Sequence, residues 1–108
     1  MVARIWHGVT EAAKSEEYLD YLRETGVPDY RATEGNRGVY VLRRIEGERA
    51  HFLTVSFWGS IEEVKRFAGS DPERARYYPD DEAFLLEFEP TVAHYDVLVG
   101  LHGVGNNG

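Results

Sequence analysis

Four histidines carry the most versatile chemistry in the chain: His7, His51, His94 and His102. Imidazole titrates near neutral pH, so a positioned histidine accepts and returns a proton. His7 is the leading candidate for a general base, and a carboxylate would orient it. Asp96 is the nearest candidate for that carboxylate. His94 shares a strand phase with Asp96 and is expected to approach His7. His51 opens a strand read as running parallel to the one that carries His7, which puts it at the opposite end. Zinc needs three or four ligands, so His7, His94 and Asp96 are read as a hydrogen-bonded group and not as a metal site.

A second constellation is aromatic. Trp6, Phe57, Trp58, Phe67, Tyr77, Tyr78 and Phe84 come from strand ends and from the second helical region. They suit the walls of a flat apolar pocket, with tyrosine hydroxyls as its few polar groups. Plain core packing explains the same composition. Arg74, beside Tyr77 and Tyr78, would bind a carboxylate or phenolate. Arg4 is out of place in an apolar strand and needs a partner such as Asp96 or a glutamate, in its own subunit or across the dimer.

These side chains must be held by one domain, since the chain has 108 residues and ordinary globular composition, 43% hydrophobic and 29% charged. With 12 basic against 19 acidic residues the net charge is −7. Such a surface lacks the basic footprint of a nucleic-acid binder and is repelled by anionic membranes. No apolar run is long enough to span a bilayer, and no address directs the chain out of the cytoplasm. The absence of cysteine excludes disulfides and thiolate chemistry. There is no phosphate loop, nucleophile elbow or paired-carboxylate motif.

Val2–Val9 predicts a strand with two apolar faces. Thr10 is placed to cap a helix from about Glu11 to Thr25, stopped by Gly26. Gly38–Ile45 and His51–Trp58 predict a hairpin. Ser60-Ile61-Glu62-Glu63 is a capping box for a helix that ends at Gly69. Asp71-Pro72 starts a short helix carrying Arg74, Tyr77 and Tyr78, closed by Pro79. Thr91–Leu98 predicts the last strand. Residues 1–98 then form the domain, and 99–108 form a flexible Gly/Asn-rich tail. The order β-α-β-β-α-β is the ferredoxin-like α+β arrangement, a four-stranded antiparallel sheet in order 4-1-3-2. Helices cover one face. The other is apolar and bare in a monomer, which predicts a symmetric homodimer joined sheet to sheet.

Three segments carry a resemblance: Gly35-Asn36-Arg37-Gly38-Val39-Tyr40-Val41, Leu53-Thr54-Val55-Ser56-Phe57-Trp58-Gly59-Ser60 and Phe67-Ala68-Gly69-Ser70-Asp71. With them, residues 1–98 resemble the antibiotic biosynthesis monooxygenase domain family, the dimeric α+β barrels. That family includes cofactor-free oxygenases of polycyclic aromatic phenols, haem-degrading oxygenases and members of no known activity. Its ligand cleft lies between helices and sheet. The resemblance implies a small aromatic ligand and, in an enzyme, cofactor-independent oxygenation of a planar phenol or quinol. His7 would be the base, Tyr77 or Tyr78 would bond the substrate oxygen, and Trp6, Trp58 and Phe67 would be the walls. The alternatives are a non-catalytic ligand-binding dimer, or a lyase or isomerase using the same base. The haem-degrading branch places an Asn, a Trp and a His where this chain has Trp6, Phe67 and Tyr77. No cofactor is therefore expected, haem included, although tyrosine can ligate haem iron.

Overall fold

The computed structural model describes residues 1–87 and 89–100. Strand β1 (Val2–Glu11) passes through a 3-10 turn (Ala12–Lys14) into helices α1 (Ser15–Glu24) and α2 (Gly26–Ala32). The hairpin β2 (Asn36–Glu46) and β3 (Arg49–Trp58) follows, then α3 (Ile61–Ala68). After a stretch without helix come α4 (Asp81–Phe84), β4 (Leu85–Glu87) and β5 (Ala93–Asp96). The last eight residues, with His102 and most of the expected tail, lie outside the described part.

Every strand pairing is antiparallel, and the order β2-β3-β1 continues into β4 and β5. This is the expected ferredoxin-like α+β arrangement, with its fourth strand in two pieces. β4 pairs with β1 at Val9 and Thr10, and β5 pairs with Val2–Ile5. The expected parallel course of the first and third strands is wrong. The hairpin reverses at Gly47, whose φ of 62° suits a residue without Cβ. β3 therefore runs against β2, and it also runs against β1.

Two helix expectations also change. Thr10 does not cap a helix: β1 continues to Glu11, and the Thr10 hydroxyl donates to the Glu11 carbonyl at 3.0 Å. No helix forms after Asp71-Pro72. The Asp71 carboxylate accepts from Glu73 N at 3.1 Å, and the following backbone bonds outward. Ala75 N donates to Pro90 O at 2.9 Å and Val92 N to Glu73 O at 2.8 Å. The Ser60 cap does form, accepting from Glu63 N, and Gly69 ends α3 with a φ of 93°.

Antiparallel partners share a face. Val2, Arg4, Trp6, Gly8 and Thr10 of β1 point to the helices, as do Phe52, Thr54, Ser56 and Trp58 of β3. Two core clusters sit on this face. One joins Trp6 and Phe52 to Tyr18 and Leu22 of α1 and to Leu85. The other joins Trp58 to Tyr30 of α2 and to Val64 and Phe67 of α3. Between them lie Arg4, Thr54 and Ser56, all buried and polar. The opposite face carries Ile5, His7, Leu53, Val55, Phe57, Tyr40, Leu42 and Tyr95, and Tyr40 and Tyr95 stay 63% and 59% exposed.

Gly8 makes room for the cleft wall. A Cβ there would stand 2.2 Å from Cη2 of Trp6, so the indole lies over the glycine backbone. Gly8→Val should destabilise the protein by ~1–3 kcal/mol through overpacking. Urea denaturation followed by tryptophan fluorescence checks this.

Candidate functional site

Arg4 forms the floor of a cleft between helices and sheet. Its Nη2 donates to the Arg74 carbonyl at 2.9 Å, and its Nη1 donates to the Tyr30 hydroxyl at 3.4 Å. The Tyr30 hydroxyl in turn lies 3.4 Å from Oγ1 of Thr54. Nε of Arg4 is buried with no partner among the described residues. Burial is the main cause that lowers the Arg4 pKa, and Arg76 adds to it as a second cation. The expected carboxylate partner is not present. Asp96 faces Val2 across β1 and is exposed, and no described acid pairs with Arg4.

Aromatic rings wall the cleft: Trp6, Tyr18, Tyr30, Phe67, Tyr77 and Tyr78. Phe67 stacks on Tyr30 at 4.2 Å between centroids. Arg76 lies over both Phe67 and Tyr78, at 4.7 and 5.3 Å. Its guanidinium pairs with Asp29 at 3.2 Å, and the Tyr78 hydroxyl donates to the same Asp29 oxygen at 2.6 Å. Burial and Asp29 push the Tyr78 pKa up, and burial raises those of Tyr18 and Tyr77. These phenols are therefore donors and not bases at neutral pH. The free space within the half-open cleft is about 30 Å³, room for a water or two.

His7 is one residue from Trp6 and lies on the other side of the sheet. Its Nδ1 bonds the Glu89 carboxylate, and its Nε2 lies 3.0 Å from Nδ1 of His51. His51 Nε2 lies 3.5 Å from Oε1 of Glu46. With Glu89 accepting from His7 Nδ1–H, His7 Nε2 accepts from His51 Nδ1–H, and His51 Nε2 faces the Glu46 carboxylate. This chain borders an open hollow of about 410 Å³ with Leu42, Arg43, Arg44 and Leu53.

The structure therefore joins Trp6, Phe67, Tyr77 and Tyr78 in the cleft and separates the other singled-out residues. His7 has Glu89 and His51 as partners in place of Asp96 and His94. Phe57 is on the bare face against Tyr40. Trp58 is fully buried in core, with Nε1 donating to Ser56 Oγ at 3.0 Å. The Arg74 side chain is exposed, and its carbonyl does the binding. His94 faces Arg4 across β1, and its Nε2 is buried without a partner among the described residues. Tyr77 joins the two sides: its hydroxyl accepts from Trp6 Nε1 at 3.2 Å and donates to the Glu89 carbonyl.

Tyr18, Tyr30 and Glu89 were not foreseen. Glu89 had a signal, since Val9 pairs with Glu87 and the same antiparallel register two residues on sets position 89 beside His7. The extra strand needed for that register is only three residues long and has no pattern of its own.

Burial, then Arg4, lowers the His94 pKa below the ordinary 6.5. The unfolded chain thus binds more protons at mildly acid pH, and stability falls as pH drops from 6.5 toward the folded value. His94→Gln should flatten that part of the stability–pH curve. Arg4→Met should raise the His94 pKa read by NMR titration.

The fold is similar to that of a solved structure, an MhuD variant with two manganese protoporphyrin IX molecules bound per active site. The TM-score is 0.61 at 19% identity, over 95% of this chain and 100% of that one. No protein-family model matches the chain, and no curated protein matches it in sequence. The likeness is one of fold: an α+β ferredoxin-like chain of the shape that the antibiotic biosynthesis monooxygenase resemblance implies.

Proposed function

We propose that the protein is a homodimer that binds a small planar aromatic ligand in the cleft between helices and sheet. The observation that carries this reading is the ring of six aromatic side chains around the polar floor at Arg4. Flat walls with few polar tips match a flat ligand with one or two polar groups. The solved neighbour, with manganese porphyrin in its active site, supports a flat ligand on this fold.

Space must be made for it. An apolar cavity that holds benzene measures about 150 Å³, several times the free 30 Å³. The part that can yield is the rim, where Arg76 and Tyr78 close on Asp29 from a segment without helix. The residues do not fit a haem. No described histidine lines the cleft, and the Tyr77 hydroxyl is bonded in both directions. Nothing in the reading passes through that group.

The Glu89–His7–His51 chain favours a second reading, cofactor-free oxygenation of an electron-rich phenol or quinol. The substrate would lie in the hollow, which in a homodimer becomes a space at the seam between the two copies, give its proton to the histidine pair and supply the electrons for dioxygen. One oxygen atom would enter the carbon skeleton and the other would leave as water. A lyase or isomerase would use the same base without oxygen.

Anthrones, naphthols and hydroquinones should quench tryptophan fluorescence on binding. Failure of every flat aromatic to do so would overturn the first reading. Oxygen uptake with the metal-stripped protein, lost in His7→Ala, would establish the second reading. Binding without uptake leaves the first standing alone.

A second copy of the chain is the occupant of the bare sheet face. The face is an apolar sheet surface with its centre at Val55 and Leu53, and a twofold axis through it pairs like with like. Light scattering should give twice the chain mass for the wild type and the chain mass for Val55→Glu. A wild-type monomer would end this part of the proposal.

A further inference from the structure

Arg4 is a buried cation with donors left over among the described residues. A guanidinium has five N–H donors in a fixed fork. At 2% exposure, Arg4 reaches one carbonyl at 2.9 Å and one hydroxyl at 3.4 Å, and its Nε reaches nothing among the described residues. The titratable groups that face it are Tyr30, Tyr78, Arg76 and, across the β1–β5 pair, His94; none is an acid that ionises to an anion at neutral pH. The first two are phenols and the third is another cation. Phe67 lies under both guanidiniums, 5.4 Å from Cζ of Arg4 and 4.7 Å from that of Arg76. The carboxylates at the cleft are already engaged. Asp29 holds Arg76 and Tyr78, and Asp81 accepts from Tyr78 N at 2.5 Å.

A buried cation without an acid costs free energy that a bound anion recovers. The cation also borders the cleft that the aromatic walls surround. In a chain of net charge −7, Arg4 and Arg76 are matched in number at the cleft by Asp29 and Asp81, and Arg4 is the cation that no acid faces.

We propose that the ligand of the cleft is an aromatic carboxylic acid, with its ring among Trp6, Tyr18 and Phe67 and its carboxylate on the free N–H groups of Arg4. This rests on the reading of the cleft as an aromatic site and narrows its ligand class. A carboxylate fits better than a phenol, because its two oxygens match two donors of the fork and it is already ionised at neutral pH. The Tyr30 hydroxyl, at 3.4 Å from Nη1, is the weaker of the two present bonds and the one that the carboxylate replaces. Arg76 stands at the rim, where it draws the acid inward before the ring is covered.

The test compares 2-naphthoate with 2-naphthylmethanol, which share a ring system and differ in charge. Both are titrated into the wild-type protein by calorimetry, and the Arg4 Nε–H resonance is followed by NMR. Naphthoate should bind about tenfold or more tighter than the alcohol, as a charge-assisted hydrogen bond requires. It should move the Nε–H resonance downfield, and the alcohol should leave it in place. Arg4→Met should abolish the preference and keep the affinity for the alcohol. Arg4→Lys should retain part of it, since the charge remains and the fork is lost. If Arg4→Met does not fold, the wild-type comparison and the Nε–H resonance still decide. Equal affinity for the two compounds, or a naphthoate complex with an unmoved Nε–H, overturns the acid and leaves the aromatic cleft standing, with water on Arg4. Binding of neither compound overturns both.

Discussion

One buried cation organises the helix side of the sheet. Arg4 sits midway along that face, and its guanidinium cannot be packed against hydrocarbon without donors finding acceptors. Tyr30 brings its hydroxyl, Thr54 stands beside that hydroxyl, and Arg74 gives up its carbonyl. The two apolar clusters are therefore kept apart, one around Trp6 and Phe52 and one around Trp58 and Phe67. A continuous core would have erased the cleft. The same constraint shapes the segment after α3: a carbonyl that accepts from Arg4 is not available to a helix, and residues 73–75 run as an edge paired with residues 90–92.

Strand β1 serves both faces with alternate residues. Trp6 belongs to the cleft and His7 to the open face, because a strand reverses its side chains at every residue. An aromatic wall and a proton-accepting chain are thus neighbours in sequence and separated by the thickness of the sheet. Tyr77 is the link between them. It is bonded to the Trp6 indole on one side and to the Glu89 backbone on the other, and the Glu89 carboxylate holds His7. A shift of Tyr77 in the cleft is therefore felt at the orientation of the imidazole, through two hydrogen bonds and one residue of chain.

The fold was legible where local signals were strong. The capping box at Ser60, the alternation along β1 and β3, and the turn at Gly47 each have a mechanism confined to a few residues, and each holds in the structure. Four of the cleft residues, Trp6, Phe67, Tyr77 and Tyr78, were also legible, since their type suits a flat pocket; Trp6 and Phe67 lie on the expected strand and helix, and Tyr77 and Tyr78 on a segment that is not the expected helix. What was not legible depends on long-range register. The direction of β3 decides whether His51 meets His7, and the pairing of β4 decides whether Glu89 or Asp96 does. Neither is written in a local pattern. Arg4 was visible as an anomaly, and its chemistry was misjudged, because a buried arginine ordinarily implies an acid nearby.

That missing acid also bears on how the cleft stays closed when empty. With a carboxylate on Arg4 the floor would be neutral and the two core clusters could settle around a fixed ion pair. Without one, the floor is held by neutral acceptors, and the rim by an ion pair and a phenol on a single aspartate, Asp29. Each of these contacts is partly exposed or long, so each is worth little alone. At residues 76–78 the helix-side cover is therefore held by these side-chain contacts, while residues 73–75 stay bonded to 90–92. Burial of Tyr18, Trp58 and Phe52 fixes everything beneath it. A rigid sheet with one unsatisfied charge under a weakly held cover is a physical arrangement in which a ligand can supply the missing interaction and leave the fold intact.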